Sequence, residues 1–351
     1  MGSLRFNTRF IPGFFCVCVG TAFSAAQTPL VQSAAPQPAA VQEDRQLDQQ
    51  LQAIAQEHHG RVALYAHNLK TGQTASLDAD QPVKTASVIK LGILLDATEQ
   101  IRAGTASLDE KLVLTKENQV PGSGVLAQLD TPLALTLRDA LTLMVIVSDN
   151  TATNTAIDRL GLAHINATLR AAGMKQTVLY KKVYMPAQGP MPADQPKFGL
   201  GKTTPREMAS VMERLAECRL DLEGGAPLST DGPICGAIMH MLHNQQDRDS
   251  LPRYIESLDT SEHGSAIGDK IGALDQVRND VALVVTKNGP IVISAFTWDN
   301  ADQRWTGDNE AEQTLGKLGK AIVEQWSPGG LDPAALSWDN PLESTKAAPP
   351  H

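Results

Sequence analysis

Aromatic residues are scarce in this chain: phenylalanine, tryptophan and tyrosine make up 4% of its 351 residues. That argues against the stacked aromatic platforms on which proteins hold single-stranded nucleic acid. Basic residues are in deficit as well, 30 lysines and arginines against 39 acidic residues, for a net charge of −9. A chain of that sign repels phosphate backbones and anionic lipid surfaces, so no nucleic-acid partner is expected. Cysteine is rare: there are four, and Cys16 and Cys18 lie in the leading apolar segment. The other two, Cys218 and Cys235, could pair in an exported chain, and Gly224, Gly225 and Pro227 between them would permit the return. Two buried free thiols are the alternative, because spacing alone does not set geometry. The histidines offer no metal site: His240 and His243 stand one helical turn apart without a third ligand, and Glu57-His58-His59 lacks zinc spacing. No metal and no cofactor is expected. There is no internal repeat.

What is present supports a folded domain. Hydrophobic residues make up 42% of the chain, enough for a sizeable core. At the start, Arg5 and Arg9 precede an apolar run from Ile11 to Ala22, and the small residues Ser24, Ala25 and Ala26 follow. This is the order of a secretory signal peptide, read here as residues 1–26, and no other stretch could span a membrane. Residues 27–43, rich in alanine, proline and glutamine, read as a linker, and 328–351 as a polar, proline-rich tail. The folded domain is expected over 44–327.

Within it, helical spacing begins at Asp44, and Arg61 to His67 alternates as a strand. The apolar run after Ser87 reads as a buried helix. Helices are predicted from Leu135 with Thr136 as cap, from Thr151, from His164, from Pro205 and from Ile234. Leu179 to Lys202, with several prolines and glycines, reads as a long loop of the kind kept for function. Asp280 to Thr297 reads as a hairpin, and Thr314 to Trp326 as a closing helix. The order predicts an α/β (α+β) domain: a sheet edged by both chain ends, with a helical block inserted.

Three short motifs fall in order along the chain. In Ser87-Val-Ile-Lys90 a serine and a lysine lie on one helix face, and a lysine whose ammonium is destabilised by burial or by another cation can take the proton of a serine hydroxyl. Ser148-Asp149-Asn150 follows at a helix junction, then Lys270-Ile271-Gly272 before the hairpin. Singly, each has a plain structural reading: a chance pair, a helix cap, a surface charge. Together, with the flanks Thr151-Ala-Thr-Asn154, Thr203-Thr-Pro205 and Ala273, they resemble the class A β-lactamase family of penicillin-binding-protein-like serine hydrolases.

The resemblance implies an antiparallel five-stranded sheet flanked by helices, with an inserted all-helical subdomain. It implies Ser87 as nucleophile, Lys90 as base, Ser148 as proton donor to the leaving nitrogen, and Lys270 as the charge that draws a substrate carboxylate. Asn150, Gly272 and Ala273 would bind substrate, with the backbone N–H groups of Ser87 and Ala273 as oxyanion hole. The chain departs from the family twice. The glutamate that activates the deacylating water falls at Val183 or Tyr184, and the only carboxylate from Leu179 to Arg206 is Asp194. The hydroxyl residue after the third-motif lysine is replaced by Ile271. Acylation with slow deacylation is therefore expected, with Asp194 or Tyr184 as possible substitutes for the base. The expectation is a periplasmic or secreted, monomeric hydrolase that opens β-lactams through a Ser87 acyl-enzyme, as in antibiotic resistance. A cell-wall peptidase or esterase, or a non-turnover protein binding β-lactam or peptidoglycan, is the alternative.

Overall fold

A computed structural model describes residues 42–220, 222, 231–255 and 266–332. The expected signal peptide, most of the expected linker and most of the expected tail lie outside the described residues. Strand β1 (Gln42–Glu43) pairs in parallel with Gln73 and Thr74, so the end of the expected linker belongs to the sheet. Helix α1 (Arg45–Glu57) follows, with the Asp44 carboxylate accepting the Leu47 N–H at 3.0 Å as its cap. β2 (Arg61–Asn68) and β3 (Gln73–Leu77) form an antiparallel pair, and β4 (Val83–Lys84) leads into the Ser87 segment.

Ser87 stands in a 3-10 turn, Ala86–Ile89, that runs directly into helix α2 (Lys90–Arg102). Residues 90–98 of α2 are all buried, so the helix is apolar all round and enclosed, as the run after Ser87 predicted. Its enclosure is the helical block. β5 (Lys111–Leu114) and β6 (Leu133–Thr136) form a small ladder, which takes up Leu135 and Thr136 and delays α3 to Leu137–Ile146. Thr136 caps α3, as expected, in a reciprocal box with Asp139. α4 (Asn150–Leu160), α5 (Leu162–Ala171) and β7 (Val178–Leu179) complete the block.

The long segment after Leu179 is not purely loop. It holds a short helix, α6 (Gln195–Phe198), and β8 (Gly201–Thr203), which bridges β4 and β7. α7 (Pro205–Ala216) starts with Pro205 in its first turn and Thr204 as cap, as the sequence indicates. α8 (Asp231–His243) is joined to the end of α7 by a disulfide between Cys218 and Cys235, which resolves the two alternatives in favour of pairing.

β9 (Ile267–Leu274), β10 (Val277–Thr286) and β11 (Gly289–Trp298) then form an antiparallel meander. The sheet order is β1-β3-β2-β11-β10-β9, so β10 is covered on both faces and β9 is an edge. Five antiparallel strands carry the expected fold, and β1 adds a short parallel sixth. α9 (Glu310–Trp326) begins four residues before the expected start because Asn309 caps it. α1 and α9 cover one sheet face through Leu47, Leu51, Leu315 and Ile322, and the helical block covers the other. The Trp326 indole N–H donates to Asp44 at 3.0 Å, which ties the domain's two ends together. Leu331 bridges to Thr286, so the first residues of the expected tail are docked on the sheet.

One side chain fastens the helical block to the cleft. The buried Asp149 carboxylate accepts N–H bonds from Ala152 at 2.8 Å, Val125 at 2.6 Å and Leu126 at 2.8 Å. It caps α4 and holds the glycine-rich loop of Gly122 and Gly124 in one contact set. Asp149→Ala strands three donors, two of them in the loop and 3-10 turn at Val125 and Leu126, so a loss of at least about 3 kcal/mol is expected. Urea unfolding followed by circular dichroism measures it, and Asp149→Asn, which keeps one acceptor, should lose less.

Candidate active site

The cleft lies where the edge of the sheet meets the helical block, and its position follows from local backbone chemistry. β9 can pass flush against the start of α2 because Gly272 has no side chain. A Cβ there would come within 2.9 Å of the Ser87 nitrogen and 2.9 Å of the Thr85 carbonyl oxygen. Asn279, opposite Gly272 on β10, donates from Nδ2 to the Lys84 and Thr85 carbonyls at 2.9 and 3.2 Å, which clamps the segment ahead of Ser87. No strand of the described residues pairs beyond β9, so half of its backbone donors and acceptors face outward along the cleft.

Four of the sequence-predicted residues form one hydrogen-bonded set. The Lys90 ammonium donates to the Ser148 carbonyl at 2.7 Å, to Ser148 Oγ at 2.9 Å and to Asn150 Oδ1 at 3.3 Å. Lys270 Nζ reaches the same Ser148 Oγ from the opposite side at 3.1 Å, and the Ile271 carbonyl at 2.9 Å. Both lysines are fully buried. Burial drives the Lys90 pKa well below the ordinary lysine range; the Lys270 charge pushes it further down and Asp149 opposes. Burial also lowers Lys270, to about 8, with Asp269, Asp280 and Asp247 pulling the other way. Burial and the neighbouring Asp269 raise the carboxyl of Asp280 well above the usual carboxylate range.

Ser87 lies beside this set rather than in it. Its hydroxyl has no hydrogen-bond partner among the described residues, and the residue is half-buried in the cleft wall. Ser87, Ser148, Asn150, Ile271 and Ala273 all line a cleft of about 1250 Å³. Lys90, Lys270 and Gly272 sit just beneath that surface. Gly122 and Ser123 form its rim, in accord with the flexible backbone that the motif Pro121-Gly-Ser-Gly124 implies.

The loop wall holds what the sequence left open. Buried Asn154, on α4, donates from Nδ2 to the Val183 carbonyl at 3.0 Å and accepts the Val183 N–H at 2.8 Å. That pair pins Val183 in the cleft wall. Asp194 is placed elsewhere. It takes Lys202 Nζ at 2.7 Å and the Tyr180 hydroxyl at 3.2 Å, and it is not among the residues that line the cleft. Lys202 holds its carboxyl below the usual range. Its role is to brace the loop. Sequence reasoning did not find Asn154 and Asn279 as positioning residues. Asn279, in the polar triplet Arg278-Asn279-Asp280 of a buried strand, was the visible signal.

Comparison with known proteins follows the same lines. The family model of the beta-lactamase enzyme family matches residues 46–326. A beta-lactamase from Sphaerobacter thermophilus is 28% identical, with a TM-score of 0.67 over 80% of this chain and 97% of that one. PBP-A, at 22% identity, superposes with a TM-score of 0.66 over 82% of this chain and 98% of its own. An ancestral class A beta-lactamase, also 22% identical, gives 0.64 over 80% and 99%. The last two likenesses concern the fold. A search of curated proteins found no match. With Ser87, Lys90, Ser148 and Lys270 gathered at one edge of this sheet and the match spanning the whole described domain, the chain belongs to the beta-lactamase enzyme family.

Proposed function

We propose that the protein is an exported serine hydrolase that opens β-lactams through an acyl-enzyme on Ser87 and releases the acyl group slowly. The observation that carries this reading is the pair of buried lysines converging on Ser148 Oγ, at 2.9 and 3.1 Å, beside an unpartnered serine. Ser87 Oγ attacks the lactam carbonyl as its proton passes to neutral Lys90, directly or through water. The oxyanion that forms is met by the N–H groups of Ser87 and Ala273. The C–N bond breaks as Ser148 gives its proton to the nitrogen, and Ser148 is reprotonated from Lys90. Lys270, still an ammonium below pH of about 8, attracts a carboxylate on the leaving side.

Release needs a base for water, and support for slow release comes from the loop wall. Neither Val183, held by Asn154, nor Tyr184, the two positions at which the resemblance places the glutamate, is a carboxylate, and Asp194 is committed to Lys202. Ile271 withholds a hydroxyl that would help bind a carboxylate, which favours weak binding of ordinary β-lactams. The same machinery serves a cell-wall peptide amide equally well.

Intact-protein mass spectrometry after exposure to penicillin G tests the reading. One adduct of the penicillin mass per chain, persisting for minutes and absent in Ser87→Ala, is expected. Rapid nitrocefin turnover with no adduct would refute slow release, and no reaction at all would refute the acyl-enzyme. Restoring the carboxylate should convert the adduct into turnover: Val183→Glu is expected to raise the deacylation rate by about 10²-fold or more, the usual worth of a general base. Stopped-flow acylation gives the pH dependence. The Lys270 ammonium is present below its pKa of about 8 and lost above it, so kcat/KM for carboxylate-bearing substrates should fall as pH rises through about 8. Lys270→Met should lower the rate at neutral pH and abolish that basic limb.

A further inference from the structure

Among the described residues six that are not glycine have positive φ, and three of them line the cleft: Ala86, Ser148 and Tyr184. A bulky L-residue in this region is strained, and such strain persists where the surrounding structure imposes it, chiefly at functional sites. Ala86 precedes the proposed nucleophile, and Ser148 is the shared hydroxyl. Tyr184, at φ +56°, is the third, and the acyl-transfer chemistry gives it no task.

Its surroundings show what the strain achieves. The peptide of Val183 is fixed on both its N–H and C=O by Asn154, so Tyr184 is projected from a pinned base. The ring then lies over Gly122. A Cβ on Gly122 would fall 2.9 Å from Tyr184 Cε2, 3.2 Å from its hydroxyl and 2.6 Å from Asn150 Nδ2. The ring edge and the Asn150 amide thus meet across a glycine that has no room for a side chain. Despite that contact Tyr184 remains 64% exposed, and its hydroxyl has no hydrogen-bond partner among the described residues. A phenol serving as base or proton relay would be held by a partner; this one presents a ring face.

We propose that Tyr184 is a specificity-determining residue, an aromatic wall that stacks on an aromatic group carried by the acyl side of the substrate. This rests on the acyl-enzyme reading, in which Asn150 holds the amide of that acyl group and so places the group's far end at Tyr184. The wall selects which acyl groups are held and takes no part in proton transfer.

Equilibrium binding to the Ser87→Ala protein, which forms no acyl-enzyme, tests the proposal. Penicillin G ends its acyl group in a benzyl ring; 6-aminopenicillanic acid is the same bicycle without the acyl group. Penicillin G should bind more tightly. Adding Tyr184→Ala should weaken penicillin G by roughly three- to ten-fold, the worth of one aromatic pair, and leave 6-aminopenicillanic acid unchanged. Tyr184→Phe should bind both as Ser87→Ala alone does. Equal or undetectable binding of the two probes, or an equal loss for both on Tyr184→Ala, overturns the proposal. Absence of both adduct and turnover in the wild-type protein would overturn the acyl-enzyme reading alone, since the binding ratio still judges Tyr184. Thermal unfolding supplies a second check: Tyr184→Gly should melt above Tyr184→Ala, and a lower melting point would remove the strain argument.

Discussion

Two fully buried lysines share a single hydroxyl, and much of the cleft is arranged around the cost of that contact. Removing an ion from water costs several kcal/mol even after relaxation, and two like charges beside each other add to it. The protein meets the cost unequally. Lys270 has Asp269, Asp280 and Asp247 in its field, which offset burial and leave it near the edge of ionisation at about 8. Lys90 has only Asp149, whose carboxylate is already shared among three backbone N–H groups, and it is driven much further. Pairs of titratable groups whose environments push them apart mark the division of acid from base. Here the lysine whose pKa is driven down by burial and a neighbouring charge opens the helix that follows Ser87, and the one with carboxylates in its field lies on the strand edge.

That contact demands close backbone approach from three directions, and glycine and strain supply it. β9 reaches Ser87 only because Gly272 is bare. The loop at the rim folds under Asp149 only because a Cβ on Gly124 would lie 2.2 Å from its carboxyl carbon. Ser148 itself takes φ +53°, the sharp corner between α3 and α4 that turns both its hydroxyl and its carbonyl toward Lys90. A straight helix through this point would place the hydroxyl elsewhere. The strain at Ser148 and the cap at Asp149 are therefore one device: the cap fixes the helix start, and the corner before it aims the hydroxyl.

The motifs were legible in the sequence because each depends on local chemistry. Asp149 and Thr204 are caps, Pro205 is a first-turn proline, and Ser87 with Lys90 needs only helical spacing. The sheet was legible from the strands at both chain ends. What was not legible depends on contacts far apart in sequence. Leu135 and Thr136 look like the start of a helix until β5 recruits them. Gln42 and Glu43 look like linker until β3 offers an edge. Asp194 looks like a spare carboxylate until Lys202, eight residues on, claims it. Asn154 and Asn279 act on backbone 29 and 195 residues away, and the polar triplet around Asn279 marks the residue without naming its partner.

The asymmetry of the cleft follows from the same accounting of charge. On the helix and strand side both lysines are placed against Ser148 Oγ and against a backbone carbonyl. On the loop side Asn154 makes the opposite investment: both of its amide groups are spent on the backbone of an apolar residue, and the side chain so presented is a valine. A carboxylate in the field of Lys90 would raise the Lys90 pKa by its charge, and would thereby compete with burial for control of the base. Without it, burial and the Lys270 charge hold the Lys90 pKa well below the ordinary lysine range. The absence of a carboxylate at that wall and the lowered Lys90 pKa are thus linked: on the proposed acyl-enzyme reading, the electrostatics that favour the first proton transfer leave the last without a base.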